Sequence, residues 1–228
     1  MPEITLVEVE SAVNPSVAVI WLHGLGADGS DFEAMVPELG LADSPAVRFI
    51  FPNAPYRPVT CNGGYVMRAW YDIISLEPNS RKIDEAGLLE SREIVRRLIE
   101  REQERGIPSH RIFLAGFSQG GAVAYLSALT HPEPLAGVIA LSTYIPEARL
   151  ITENLSGSNQ QIPLFVAHGT SDDVVSIGLG QQAIEILHRC GLSPEWRTYD
   201  MPHSVCSEEI ADLGTWLSTR IMALGHVF

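Results

Sequence analysis

Ser118 stands in Gly116-Phe117-Ser118-Gln119-Gly120, a G-x-S-x-G pentapeptide between an apolar, strand-like run ending at Phe117 and a small-residue helix starting near Gly120. A serine in so sharp a strand-to-helix turn needs glycine on both sides, because neighbouring side chains would clash with the sheet. The same turn lifts the hydroxyl clear of the backbone. Gly121, Ala122 and Ala124 let the helix lie close to the sheet, and its N-terminus favours negative charge developing beside Ser118. A hydroxyl is a weak nucleophile until a base takes its proton, and the base needs a carboxylate to orient it. Both partners follow in the order Ser, Asp, His. Asp172 comes just after the strand-like Leu164 to His168, with Asp173 as the adjacent competitor. His203 lies in Asp200-Met201-Pro202-His203-Ser204, a loop ahead of the last helix. The set preferred on position is Ser118, Asp172 and His203.

An acyl-transfer reaction also needs two N–H donors for the oxyanion. The residue after the nucleophile, Gln119, is one candidate. Leu22-His23-Gly24-Leu25-Gly26 follows a buried-type strand, and its glycines let the backbone turn inward, which makes the amide of Leu25 the second. A phosphate-binding reading of this segment lacks both G-x-G-x-x-G and a following GK[ST]. Among the other histidines, His168 precedes Gly169 at a strand end and is expected to order the turn that holds Asp172. His110, His131, His188 and His226 fall at or beyond helix ends and are expected to be solvated or capping.

The elements that must position these groups are legible as periodicity. Ile4 to Glu10 alternates and reads as an edge strand, while Val17 to Leu22 is nearly continuous apolar residues, as in a strand buried on both faces. Ala46 to Phe51, Arg111 to Phe117, Leu135 to Ser142, Pro163 to His168 and Glu195 to Tyr199 read as further strands, about seven in all. Helical stripes occupy Asp84 to Arg105, Gly120 to Thr130, Ile177 to Arg189 and Val205 to Met222. Strands alternating with helices predict an α/β fold, with a mostly parallel central sheet and helices on both faces. Pro52 to Asp72 reads as a long functional loop carrying Tyr56, Tyr65, Met67, Trp70 and Tyr71, and Pro146 to Ile162 as an exposed connection with little regular structure.

With 228 residues, 46% of them hydrophobic, the chain predicts one domain spanning 1–228. A formal net charge of -13 excludes a basic stripe for nucleic acid. No apolar stretch is long enough for a membrane helix, so no integral membrane association is expected, and an acidic, alternating N-terminus predicts cytoplasmic localisation rather than secretion. Cys61, Cys190 and Cys206 match no CxxC or zinc spacing and read as free thiols. No metal and no organic cofactor is implied.

The chain resembles the small carboxylesterases grouped with acyl-protein thioesterases and lysophospholipases in the α/β-hydrolase superfamily. The resemblance runs through WLHGLGADGSDF (Trp21 to Phe32), PNAPYRPVTCNGGYVMRAWYDI (Pro52 to Ile73), GFSQGGAVA (Gly116 to Ala124), HGTSDDVV (His168 to Val175) and PHSVC (Pro202 to Cys206). It spans about Val17 to Leu217, and the middle segment is far more specific than G-x-S-x-G. It implies Ser118 as nucleophile, His203 as general base, Asp172 over Asp173 as the orienting acid, and Leu25 and Gln119 as oxyanion donors. It also implies that the Pro52 to Asp72 loop lies over the serine, with Tyr65, Met67 and Trp70 at the substrate. Two departures are small: Asp173 stands where proline is frequent, and Pro202 where glycine, methionine or alanine is more usual. The expected activity is a carboxylesterase for short to medium acyl chains, or alternatively an acyl-protein thioesterase or lysophospholipase. The third expectation considered is a non-catalytic binding protein of the same fold. The expected partners are a small ester or thioester, a lysophospholipid or an acylated protein, with a homodimer as a compatible assembly. The interval from Ser142 to Pro163 is too short for a cap domain with its own core.

Overall fold

The computed structural model describes residues 4–77 and 80–225. Seven strands form the central sheet: β1 (Leu6–Glu10), β2 (Val17–Leu22), β3 (Val47–Pro52), then β8 (Ile112–Phe117), β9 (Gly137–Leu141), β10 (Leu164–Gly169) and β11 (Glu195–Tyr199). Their spatial order is β1-β3-β2-β8-β9-β10-β11. Only β1 runs antiparallel to its neighbour, β3, and every other pair is parallel. Every residue of β2, β3 and β10 is buried, and these runs are apolar apart from Arg48, paired with Glu10 and Glu102, and His168, while the edge strand β1 alternates.

Between β3 and β8 lie two short antiparallel hairpins, β4 (Tyr56–Val59) with β5 (Tyr65–Arg68) and β6 (Ile73–Glu77) with β7 (Ser80–Ile83), and then the helix α1 (Glu85–Glu104). The rest of the helical cover is α2 (Gln119–Leu129), the short α3 (Ala148–Thr152), α4 (Ile177–Arg189) and α5 (Ser207–Ala223), with a 3-10 helix at Glu33–Leu39. The two-residue period of the strands divides the core. Ala18, Ile20 and Leu22 face α1, α2 and α4, whereas Val17, Val19 and Trp21 face α5 and the 3-10 helix. This is the doubly covered α/β sheet that the alternation of strands and helices predicts.

Three expectations need correction. Pro52 to Asp72 is not an irregular loop but contains the β4–β5 hairpin. Its strands have only four residues each and are broken by Pro58 and the Gly63-Gly64 turn, too short for alternation to register. Pro146 to Ile162 contains α3 and a 3-10 turn at Gly157–Asn159. There Asn159 is buried and bonds Leu135 N–H and the His131 and Glu133 carbonyls. His131 is buried rather than solvated, beside Arg96 and Ile99 of α1. His110 and His188 are exposed as expected, and His226 lies outside the described residues.

Candidate active site

Ser118 joins β8 to α2 with φ 53° and ψ -121°, a backbone conformation that non-glycine residues rarely adopt. The flanking glycines are there for space. A Cβ on Gly116 would lie 2.4 Å from the Gly120 carbonyl carbon, and one on Gly120 would lie 2.2 Å from Leu22 O. The strained turn is held by Ser118 N–H donating to Leu141 O at 2.9 Å and by the Thr143 hydroxyl donating to Ser118 O at 2.6 Å.

Asp172 and His203 arrive from the ends of β10 and β11, the last two strands of the sheet. Their loops run in contact: Ser171 N–H donates to Met201 O, and a Cβ on Gly169 would lie 2.3 Å from that same oxygen. His203 Nδ1–H donates to Asp172 Oδ2 at 2.7 Å, while Asp172 Oδ1 accepts from Val174 and Val175 N–H at 2.9 and 2.8 Å. Burial acts to raise the Asp172 pKa. The bond and charge of His203 and the two backbone donors outweigh it and hold the carboxyl below its ordinary value. Asp173 has an exposed side chain and makes no such bond among the described residues. With Nδ1 engaged by Asp172, His203 lines the same cavity as Ser118. His168 is fully buried, and burial lowers its pKa, so it is neutral. Its Nε2–H donates to Val175 O at 2.7 Å, which braces the loop around Asp172.

The main-chain N–H groups of Leu25 and Gln119 donate to no acceptor among the described residues, and both residues line the cavity. Their loops are fastened by the segment Arg68 to Tyr71. Gly26 N–H donates to Arg68 O and Trp70 Nε1–H to His23 O, both at 2.9 Å. The Gln119 side chain is clamped by Trp70 N–H and Tyr71 O, both at 2.8 Å. His23, its pKa lowered by burial, donates from Nδ1 to Gly24 O at 2.7 Å and accepts from Ala54 N–H at 3.0 Å.

The cavity, about 320 Å3, has apolar walls. Ile73, Leu76, Tyr144, Val174 and Val175 supply much of them, none of which the sequence singled out. Arg81 of β7 donates to Val174 O at 2.6 Å and so ties the second hairpin to the loop after Asp172. Tyr65, Met67 and Trp70 do not line this cavity. Trp70 is fully buried and acts as a strut, Tyr65 is 70% exposed on the hairpin, and Met67 packs near Gly26 and Asn62.

The phospholipase/carboxylesterase family matches residues 5–221, nearly the whole chain. The chain belongs to that family. Acyl-protein thioesterase 1 of Mycosarcoma maydis is 39% identical over 232 residues, covering 96% of this chain and 97% of the relative. The protein of the same name from Cryptococcus neoformans is 41% identical over 218 residues, with 89% and 91% covered. The crystal structure of Zea mays acyl-protein thioesterase 2 superposes with a TM-score of 0.84 at 28% identity, over 95% of this chain and 99% of that one. As a phospholipase/carboxylesterase family member with a serine on a strained strand-to-helix turn, the protein is a serine hydrolase of the α/β-hydrolase fold. No described helix is long and apolar enough to cross a membrane.

Proposed function

We propose that residues 1–228 form one hydrolase domain that cleaves carboxylic esters of short to medium acyl chains through an acyl-enzyme on Ser118. Ser118 Oγ attacks the carbonyl carbon while His203 Nε2 takes its proton, and Asp172 keeps Nδ1 protonated and the ring aligned. The amides of Leu25 and Gln119 bind the oxyanion, His203 then protonates the leaving oxygen, and water repeats the cycle to release the acid. The observation that carries this reading is the 2.7 Å bond from His203 to Asp172 at the cavity lined by Ser118. The three free cysteines suit a reducing compartment, in keeping with work in the cytoplasm.

The same machinery acts on thioesters, and relatives named acyl-protein thioesterase 1 that match nearly the full chain favour this as the second reading. The test is a series of matched esters and thioesters of rising acyl length, with kcat/KM for each, alongside labelling by a fluorophosphonate. Labelling should be lost in Ser118→Ala, and kcat/KM should peak at short to medium chains. Labelling that persists in the variant refutes the assignment of Ser118. A peak confined to long-chain thioesters replaces the first reading with the second.

A further inference from the structure

The carboxylate that orients His203 is itself held by a loop, and that loop is gripped from outside the sheet. Asp172 Oδ1 accepts from two successive main-chain N–H groups, Val174 at 2.9 Å and Val175 at 2.8 Å. The second of these belongs to the peptide group that joins Val174 to Val175. The carbonyl of that same peptide, Val174 O, accepts from Arg81 Nη2 at 2.6 Å. A trans peptide is planar and points its C=O and N–H in opposite directions, so a grip on the oxygen aims the N–H at Asp172. A hydrogen bond from a cation also polarises the amide, and a polarised N–H donates more strongly. A continuous path of hydrogen bonds thus runs from Arg81 through one peptide group to Asp172 Oδ1, and from Asp172 Oδ2 to His203 Nδ1.

Arginine suits this position. Its Nη1 donates to two carbonyls of its own hairpin, Glu77 O and Ser80 O, which fixes the guanidinium while Nη2 reaches across to the loop. The cation also lies over the Tyr144 ring, 6.0 Å from its centroid. The next carbonyl, Val175 O, accepts from the buried His168. The loop is therefore gripped once from the sheet and once from the hairpin cover, the latter across 93 positions of chain.

Building on the hydrolase reading above, we infer that Arg81 is a positioning residue for the reaction. It holds the Val174–Val175 peptide in the orientation that fixes Asp172, and through Asp172 it aligns His203. The β6–β7 hairpin is then part of the machinery that sets the base, as well as a wall of the cavity.

The experiment measures kcat and KM for p-nitrophenyl acetate and p-nitrophenyl butyrate in the wild-type protein, Arg81→Met and Arg81→Lys. It is paired with the far-downfield proton resonance of His203 Nδ1–H, assigned by its loss in His203→Gln. Met keeps an apolar stem but donates nothing, whereas Lys keeps a charged donor for Val174 O. Arg81→Met should lower kcat about five- to tenfold, less than a full ångström of misplacement would, with KM within about twofold. The fall should be equal for the two esters, because both need the same alignment of the base, and Arg81→Lys should recover most of it. The resonance should move in Arg81→Met and return toward its wild-type place in Arg81→Lys. A resonance unmoved in Arg81→Met overturns the inference, as does a Lys variant no better than Met. A fall in kcat for butyrate alone also overturns it and leaves Arg81 as a wall for the acyl chain. Lack of turnover of either ester by the wild-type protein would instead remove the hydrolase reading, and the resonance would still report whether Arg81 acts on Asp172.

Discussion

The ends of β8, β10 and β11 and the two hairpins between β3 and α1 meet at one cavity, yet they are built in opposite ways. On the sheet side, Ser118 and Asp172 are each only 8% exposed, and backbone approaches as close as those at Gly116 and Gly120 leave no room for a methyl group. On the hairpin side, Tyr65 and Leu76 are 70% and 54% exposed, and Gly63 and Gly64 have nothing nearby. The hairpins are fixed to the sheet mainly along the strip Arg68 to Tyr71, which fastens the loops bearing Leu25 and Gln119. Reacting groups that must hold a sub-ångström geometry are therefore placed where packing leaves no alternative, and groups that meet variable acyl chains are placed on a lightly held cover.

The largest way to test that contrast is at the nucleophile. Ser118→Ala should lower kcat/KM on the order of 10⁴-fold with little change in Tm, because the hydroxyl makes no packing contact that the fold depends on. A variant retaining a tenth of the activity would place the nucleophile elsewhere. Next comes a pair of equal substitutions on the two sides. Gly120→Ala puts a Cβ 2.2 Å from Leu22 O and should cost about 3 kcal/mol or more, read as a large loss of Tm or of soluble protein. Gly63→Ala meets only its positive φ of 66° and should cost about 1 kcal/mol. Equal losses at the two glycines would erase the distinction between the regions.

The strip joining them should respond on both scales. Trp70→Phe removes a buried donor to His23 O and should cost about 1 to 2 kcal/mol in chemical denaturation. It should also lower kcat on the order of tenfold through the loop that bears Leu25, with KM moving less. Tyr65→Ser, out on the exposed hairpin, should shift kcat by less than about twofold. An equal fall in kcat for both variants would show that the hairpins act as one body.

A separate effect concerns pH on the sheet side. Glu209, in the first turn of α5 after the His203 loop, is 1% exposed, and burial, only partly offset by the Cys206 backbone N–H, pushes its pKa up to about 8. A carboxyl whose pKa rises on folding binds its proton more tightly in the folded state. Its contribution is thus fully present below its ordinary 4.5 and is lost as pH climbs toward about 8. Glu209→Gln should flatten the fall in Tm between about pH 5 and 8 by on the order of ten degrees. A wild-type Tm that rises over this window relative to the variant would contradict the sign.

Much of this architecture was legible in the order of the residues. The sheet strands lie within a residue or two of the expected runs, the interior ones because a strand buried on both faces is written mostly in apolar residues and the edge strand β1 because it alternates. The four long helices likewise follow their stripes between breakers such as Gly106, Pro132 and Gly191. The glycines around Ser118 encode a local steric demand, which is why the turn could be named before any coordinates. The hairpins could not. Their strands are short, their faces are polar or exposed, and nothing in Ser75 to Lys82 alternates long enough to register.

The sequence alone determined the strands of the central sheet, the long helices and which side chains stand at their ends, because these depend on neighbours a few positions apart. Only the tertiary structure decided what lines the cavity. Trp70, a substrate candidate by family resemblance, is drawn into the core, where its indole N–H finds His23 O across 47 positions of chain. Ile73 and Leu76 wall the cavity in its place, with Arg81 latched to Val174 O across 93 positions. Contacts between segments so far apart depend on how the hairpins fold back over the sheet, and no local periodicity records that return.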